Sequence, residues 1–343
     1  MNTSLSFLSK GRVNNFNLIR MLAAIGVLIS HSFPLTLGRG AGDLISNSFG
    51  VSIGTICLYV FFVLSGFFIT KSFEQRKSSM QFIFSRFLRI FPALAVCLLI
   101  IIIAGMFLTK VNLSLYLIEA TGYFSWNFTL FYGQTSLPGV FGGNIYSSTI
   151  NGSLWTLNFE LLCYIITFII GLSGVLKNPF YFVSFFIITL MVYFFSFQYK
   201  FPDRITLLLL LGIPYLVGST YWVFRNNIII SNLYAMISLL MFSTFFYLKA
   251  PYIFWLPFFA YLLFFLGHIN FSWLLVYNKI GDYSYGIYIY AFPVQQFFVY
   301  LGTSSPFINI LCSLPVALVF ATFSWHIVEK PAFCWKILDK VKS

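Results

Sequence analysis

Phe87-Leu-Arg-Ile-Phe-Pro-Ala-Leu-Ala-Val-Cys-Leu-Leu-Ile-Ile-Ile-Ile-Ala-Gly-Met-Phe-Leu108 carries a single charge, Arg89, close to its start. A bilayer core about 30 Å thick is crossed by roughly 20 apolar residues in a helix. A segment of this length and composition reads as a transmembrane helix. Walking outward in both directions gives ten such segments, at about 16–36, 50–70, 87–108, 154–173, 180–198, 205–223, 228–248, 252–267, 284–301 and 307–328. The division between 228–248 and 252–267 is the weakest, because Pro251 and Pro257 interrupt the pattern. The longest connection, 109–153, is rich in Gly, Asn, Ser and Tyr. Its middle, Leu113–Tyr132, suits an amphipathic segment lying along the membrane surface. No internal repeat is visible, so the chain reads as a single integral-membrane domain over 1–343.

Composition agrees. Hydrophobic residues make up 59% of the 343-residue chain and charged residues 8%. A soluble domain carries roughly 25% charged residues, so lipid must be the main solvent here. The first apolar run starts near Phe16 and contains Arg20 and His31. It is longer than the roughly 7–15 residues of a signal-peptide core, and it reads as a retained helix. The net charge of +12 sits in short loops between apolar spans, which argues for topology rather than nucleic-acid binding. Cys57, Cys97, Cys163, Cys312 and Cys334 form no CxxC pair, and the first four lie in apolar runs. Packing explains them better than metal or disulfide, and the three histidines lack metal-ligand spacing as well.

Ten spans place both termini on one side. The terminal segments and the loops sharing their side hold fourteen Lys and Arg, against five (Arg39, Lys110, Lys200, Arg204 and Lys249) in the alternate loops. The basic side is cytoplasmic by the positive-inside rule. The expected protein is therefore an all-α polytopic membrane protein of about ten helices, with both termini cytoplasmic and the 109–153 loop outside.

Polar residues inside such spans mark function by default. Arg20 and His31 lie eleven residues apart, about 16 Å and three turns of helix, so they share one face. Arg20 sits near the cytoplasmic end and His31 in the outer half. The plainer readings are a snorkelling anchor and a hydrogen-bonded polar residue at a helix end. Arg86 and Arg89, three apart, also share a face, and two guanidinium forks match a polyphosphate. Lys71, Arg76 and Lys77 read as ordinary loop charge. Glu160 reads as the only carboxylate within the spans proper. It lies about 9 Å from the outer edge, and His31 about 10 Å from it. A carboxylate and an imidazole at one depth can pair, and the carboxylate then selects the imidazole tautomer.

Taken in order, these residues resemble the membrane-bound acyltransferase-3 family, of the type that O-acetylates bacterial surface polysaccharides. Arg20 with His31 is similar to its first-helix motif. Phe61-Phe-Val-Leu-Ser-Gly-Phe-Phe-Ile69 is similar to its second-helix signature, and Arg86-Phe-Leu-Arg89 to its paired-arginine motif. Ser153-Leu-Trp-Thr-Leu157 with Glu160 and Tyr164 resembles its fourth-helix motif, and Ser284-Tyr-Gly-Ile-Tyr288 and Val328-Glu-Lys-Pro331 resemble its closing segments. Two positions depart: Asn17 stands where many members have Asp, and Ala291 where many have His. The resemblance implies an acyl-coenzyme A donor, most often acetyl-coenzyme A, and no metal. It implies a carbohydrate acceptor, such as the O-antigen of lipopolysaccharide, whether lipid-linked or free. It also implies residence in the bacterial inner membrane.

The expected division of labour follows. Arg86, Arg89 and Arg20 bind the donor from the cytoplasm. His31 acts as general base or takes the acyl group itself, and Glu160 orients it. Asn151, Ser153, Trp155 and Tyr164 meet the acceptor. Ser65 is a possible nucleophile, although a small-residue helix contact suits it better. The competing reading is a transporter or flippase for a lipid-linked sugar. Such proteins often show paired inverted repeats, which this sequence lacks.

Overall fold

The computed structural model describes residues 2–11, 14–76, 78–131, 133–269 and 277–333, so Lys77, Tyr132 and Cys334 lie outside the described residues. The helices in chain order are α1 (Phe16–Leu37), α2 (Ile53–Glu74), α3 (Ser79–Leu108), α4 (Leu113–Thr129), α5 (Trp155–Leu172) and α6 (Pro179–Gln198), then α7 (Asp203–Val223), α8 (Asn232–Tyr247), α9 (Tyr252–Gly267), α10 (Ser284–Tyr300) and α11 (Pro306–Phe323). Strand β1 (Asn2–Ser4) pairs antiparallel with β2 (Ile229–Ser231).

Each of the ten expected spans coincides with one of these helices, and α4 occupies the middle of the long connection. Among the described residues, seven helices are long and apolar enough to cross a membrane by length and composition. Helices α8 and α9 are apolar but shorter, at 16 residues each. They are separate helices because Lys249 adopts a left-handed backbone (φ 53°) and Pro251 caps α9. The protein is an all-α polytopic membrane protein. Leu311 is 74% exposed, Phe180 73% and Phe107 84%. Exposed apolar surface of that kind is stable against hydrocarbon and costly against water.

Start and stop signals are local. Asn178 accepts a hydrogen bond from the Phe180 amide at 2.9 Å and precedes Pro179 at the first turn of α6. Ser231 caps α8 through the Tyr234 amide at 3.2 Å. The final helix continues past α11 as a π-helical turn, Ser324–Glu329. The widened turn lets Ser324 donate to Glu329 Oε1 at 3.0 Å. Glu329, only 1% exposed, thus belongs to a continuous apolar helix, Pro306–Phe333. The expectation that Glu160 is the only carboxylate within the spans is corrected accordingly.

The chain forms two compact units. The first comprises Met1–Arg20, Leu58–Ser79 and Phe159–Ile280, and the second Met21–Cys57, Met80–Asn158 and Gly281–Ser343. In the first unit, α2 and α7 meet backbone to backbone. A Cβ at Gly66 would collide with the Tyr215 carbonyl oxygen, and one at Gly218 with the Val63 carbonyl oxygen. Ser219 Oγ donates to the Gly66 carbonyl at 3.3 Å, and Thr70 donates to Ser219 at 3.0 Å. Small residues and hydroxyls of this kind draw helices together in lipid, where no hydrophobic drive does so. Gly218→Ala is expected to cost about 1–3 kcal/mol by overpacking, read as a lower melting temperature in detergent. Gly212→Ala, with nothing near its Cβ, is the control and should not shift it. The second unit is built around α10, in which thirteen of seventeen residues are buried.

Candidate active site

Helix α10 gathers the second unit's polar groups. Parallel to it runs α3: Tyr285 donates to the Ile90 carbonyl at 2.9 Å, and Cys97 Sγ approaches the Ile289 carbonyl at 3.4 Å. On its next face, Gln295 Nε2 donates to the Leu28 carbonyl of α1 at 2.7 Å and to Ser32 Oγ at 2.6 Å. Asn309 of α11 accepts from Ser32 at 3.1 Å and donates to the Gln295 carbonyl at 3.1 Å. Gln296 donates to the Tyr146 and Thr149 carbonyls and accepts from Asn144 at 2.8 Å. These bonds hold α1, α11 and the 144–149 loop to one helix. Buried amide bonds of this kind specify register because leaving any partner unmatched is costly.

His31 lies inside this framework. Its ring packs edge-to-face on Phe292 of α10, with centroids 5.3 Å apart. Its Nδ1 is buried and has no hydrogen-bond partner. The turn before it is pinned by Ser30, which donates to Asp43 Oδ2 at 2.6 Å, and Asp43 also accepts the Ile53 amide at 2.7 Å. A single buried carboxylate thereby fixes the end of α1 that carries His31 and the start of α2.

The Asn151-Gly-Ser153 segment reaches Phe292 as well, since a Cβ at Gly152 would strike the Phe292 ring. Asn151 Nδ2 donates to the Ile289 carbonyl at 2.8 Å, and its Oδ1 accepts the Ser153 amide at 3.1 Å. Tyr288 donates to the Ser153 carbonyl at 2.9 Å and shares a short hydrogen bond with Thr156. With its backbone so held, Ser153 keeps a buried hydroxyl with no partner. Trp155, by contrast, is 44% exposed. Buried polar side chains are nearly always paired, and an exception calls for a functional reason. Three exceptions gather around α10: His31 Nδ1, whose ring packs on Phe292, Ser153 Oγ, whose carbonyl is held by Tyr288, and Gln295 Oε1 on α10 itself.

At the opposite end of α3 and α10 the expected donor site takes a different form. Arg89 Nη2 lies 2.8 Å from Asp282 Oδ2, and its Nη1 lies 3.7 Å from Glu329 Oε2. Asp282 also accepts from Ser284 Oγ at 2.5 Å. One guanidinium thus faces two carboxyl groups from different elements. Arg89, expected at the donor site, ties the start of α10 and the final helix to α3. Arg86 is half-buried and hydrogen-bonds Ser85 Oγ at 3.3 Å.

In the first unit Arg20 sits over the Phe68 ring at 5.0 Å, a cation–π contact. Glu160 accepts hydrogen bonds at Oε1 from Ser65, at 3.1 Å, and from Tyr164. Ser65 and Tyr164 hydroxyls are 3.3 Å apart. The close helix contact expected of Ser65 is made by its neighbour Gly66, and Ser65 instead serves the carboxylate. His31 belongs to one unit and Glu160 to the other, and the hydrogen bonds described for Glu160 are those within its own unit.

Sequence reasoning missed Asp43, Asp282, Tyr288, Gln295 and Glu329. Tyr288 and Glu329 stood inside quoted motifs without a role. The signal for Glu329 was a carboxylate directly after an apolar run. Nothing in the sequence paired it with an arginine 240 positions earlier.

Comparison with known proteins places the chain. The acyltransferase-3 family model, an acyltransferase domain, matches residues 13–326. The O-acetyl transferase of Shigella phage Sf6 is 31% identical over 92% of this chain and 95% of its own length. Nodulation protein 10 of Rhizobium leguminosarum bv. viciae is 32% identical over 46% of this chain and 44% of its own. No solved structure matches. With the ordered motifs and the helices that carry them, these matches show that the chain is a membrane acyltransferase belonging to the acyltransferase-3 family.

Proposed function

We propose that this acyltransferase moves an acetyl group from cytoplasmic acetyl-coenzyme A to a carbohydrate hydroxyl of a bacterial surface polysaccharide, such as O-antigen, while resident in the inner membrane. The observation that carries the reading is that two buried polar groups on segments packed against α10, His31 Nδ1 and Ser153 Oγ, have no hydrogen-bond partner. With the proton on Nε2, Nδ1 is a bare acceptor in a dry setting. It takes the proton from the attacking sugar hydroxyl as the new C–O bond forms. Ser153 Oγ–H is placed to donate to oxygen charge that develops on the thioester carbonyl. When the C–S bond breaks, the leaving thiolate recovers the proton from the imidazolium. The products are a sugar ester and free coenzyme A. The similarity to an O-acetyl transferase supports acetyl over longer acyl groups.

Glu160 is proposed as the second catalytic residue, in addition to His31. Both of its described hydrogen bonds fall on Oε1, which leaves Oε2 for a further donor. Asn151 acts by holding the Ser153 amide. Tyr164 holds the carboxylate, and exposed Trp155 offers a stacking face to sugar. On the donor side Arg86 and Arg20 are the proposed phosphate ligands. The deciding assay is release of free thiol from acetyl-coenzyme A by purified protein, with and without glycan. Acceptor-dependent release is expected, and glycan movement across vesicles without thiol release would mark a flippase instead. Arg86→Ala is expected to raise KM for acetyl-coenzyme A about 10- to 100-fold, the loss of one charge-assisted hydrogen bond of about 1.5–3 kcal/mol, with kcat nearly unchanged. An unchanged KM would remove Arg86 from the donor site.

A further inference from the structure

The second unit contains a cavity of about 300 Å³ lined by apolar side chains from α3, α10, α11 and the connection after α4. Ile101, Ala104, Val140, Ile150, Val294 and Phe297 are among them. Ala104 and Phe297 are themselves exposed and stand on faces flanked by Ile103, Phe107 and Tyr300, which are exposed too. The cavity therefore opens sideways, where a membrane protein meets hydrocarbon. A lining of this kind offers nothing to a sugar or to coenzyme A.

Its position relates it to the site. On α10, Tyr288, Phe292 and Gln295 share the face that meets His31, α1 and the Ser153 segment. Tyr290, Val294 and Phe297 are displaced by two residues, about 200° around a helix with 3.6 residues per turn. One helix is thus the wall between the cavity and the unpartnered polar groups. Ile150 lines the cavity, and the residue after it, Asn151, is bonded to α10. The cavity also has a cationic end. Leu108 is part of its lining, and two residues on stands Lys110, exposed and without a salt bridge among the described residues. Thr109 donates to the Pro138 carbonyl at 2.8 Å, which fixes this end of α3 against the chain leading to Val140. A second exposed cation, Arg39, sits over Tyr146 at 4.8 Å, and the Tyr146 carbonyl is held by Gln296 of α10. The charge asymmetry assigns Arg39 and Lys110 to the outer side.

We propose that this cavity holds the hydrocarbon tail of the acceptor, a glycan carried on a polyprenyl pyrophosphate, with Lys110 meeting the pyrophosphate and the sugar passing the Ile150–Ser153 turn to reach His31. The inference rests on the acyl-transfer reading above and adds the form in which the acceptor arrives. An apolar slot with exposed cations at one end matches a lipid with an anionic head, and its shared wall with the polar site matches a lipid that carries substrate.

The test is reconstitution in phosphatidylethanolamine–phosphatidylglycerol vesicles with labelled acetyl-coenzyme A. The acceptors are a polysaccharide repeat unit on polyprenyl pyrophosphate and the same oligosaccharide released from its carrier. The intact protein is expected to show a KM at least tenfold lower for the lipid-linked form. Ala104→Trp, which fills the slot from its exposed side, should erase that advantage and leave transfer to the free oligosaccharide unchanged. Leu99→Trp, on an exposed face of α3 and outside the lining, should change neither. Equal KM for both acceptors, or an unaltered advantage in Ala104→Trp, would overturn the tail site and leave the acyl-transfer reading standing. The second result would mark the slot as one that an ordinary phospholipid chain fills. Absence of transfer to either acceptor would remove both readings.

Discussion

His31→Ala is expected to reduce acyl transfer by about 10²–10⁴-fold, the range contributed by a positioned general base, with the protein present in the membrane at normal abundance. The second half of that expectation follows from the packing. The imidazole contributes an edge-to-face contact with Phe292, and its buried Nδ1 contributes no hydrogen bond. Deleting a buried nitrogen that has no partner removes a desolvation cost, which offsets part of the lost contact. A residue kept for packing would behave in the opposite way, with large loss of yield and little loss of specific activity. The measurement is acceptor-dependent thiol release per mole of purified protein, beside the melting temperature. Ser153→Ala should lower kcat by a smaller factor for the same structural reason, since its hydroxyl is also unpartnered. Full specific activity in His31→Ala would end the base assignment and leave the imidazole as filler.

Arg89→Ala should act on folding instead. Its guanidinium lies between Asp282 and Glu329, which are 6% and 1% exposed. Removing one partner of a buried pair strands the other, at a cost of about 3–5 kcal/mol. Here two carboxylates would be stranded, and three elements (α3, the start of α10 and the final helix) would lose their tie. The expected result is a large fall in the yield of folded protein and in melting temperature. Adding Asp282→Asn and Glu329→Gln to Arg89→Ala should recover part of the loss, because neutral amides are cheaper to bury than unpaired carboxylates. Arg86→Ala, three residues away on the same helix, is the contrast. It should keep the melting temperature and weaken only donor binding. If Arg89→Ala instead kept its stability and raised KM for acetyl-coenzyme A, Arg89 would be a donor ligand and not a tie.

These two substitutions separate what the chain says about itself from what packing adds. The span from Phe87 to Leu108, and its nine counterparts, were legible because lipid imposes a length and an absence of charge that a one-dimensional string displays. Even the division at Pro251 was visible as an interruption, and the structure completed it with a left-handed Lys249. The ordered motifs identified the family because each is a contiguous or helically spaced group of residues. His31 was singled out as a polar residue in apolar surroundings, and Ser153 through the motif that contains it.

What the string does not display is who meets whom. Arg86 and Arg89 look alike in sequence, equal in charge and close to one helix face. Only the approach of Asp282 and Glu329, some two hundred positions away, makes Arg89 a tie between three elements. The same holds for Tyr288 and Gln295, whose hydroxyl and amide gain meaning from backbone carbonyls that any sequence would supply. It holds for the apolar cavity, whose lining comes from four separate stretches, none unusual alone. The sequence by itself determined the solvent, the helices and the family, since these depend on composition and on spacing along one helix. The tertiary structure alone decided which buried polar groups are satisfied and which are left open, because satisfaction is a property of pairs brought together by folding.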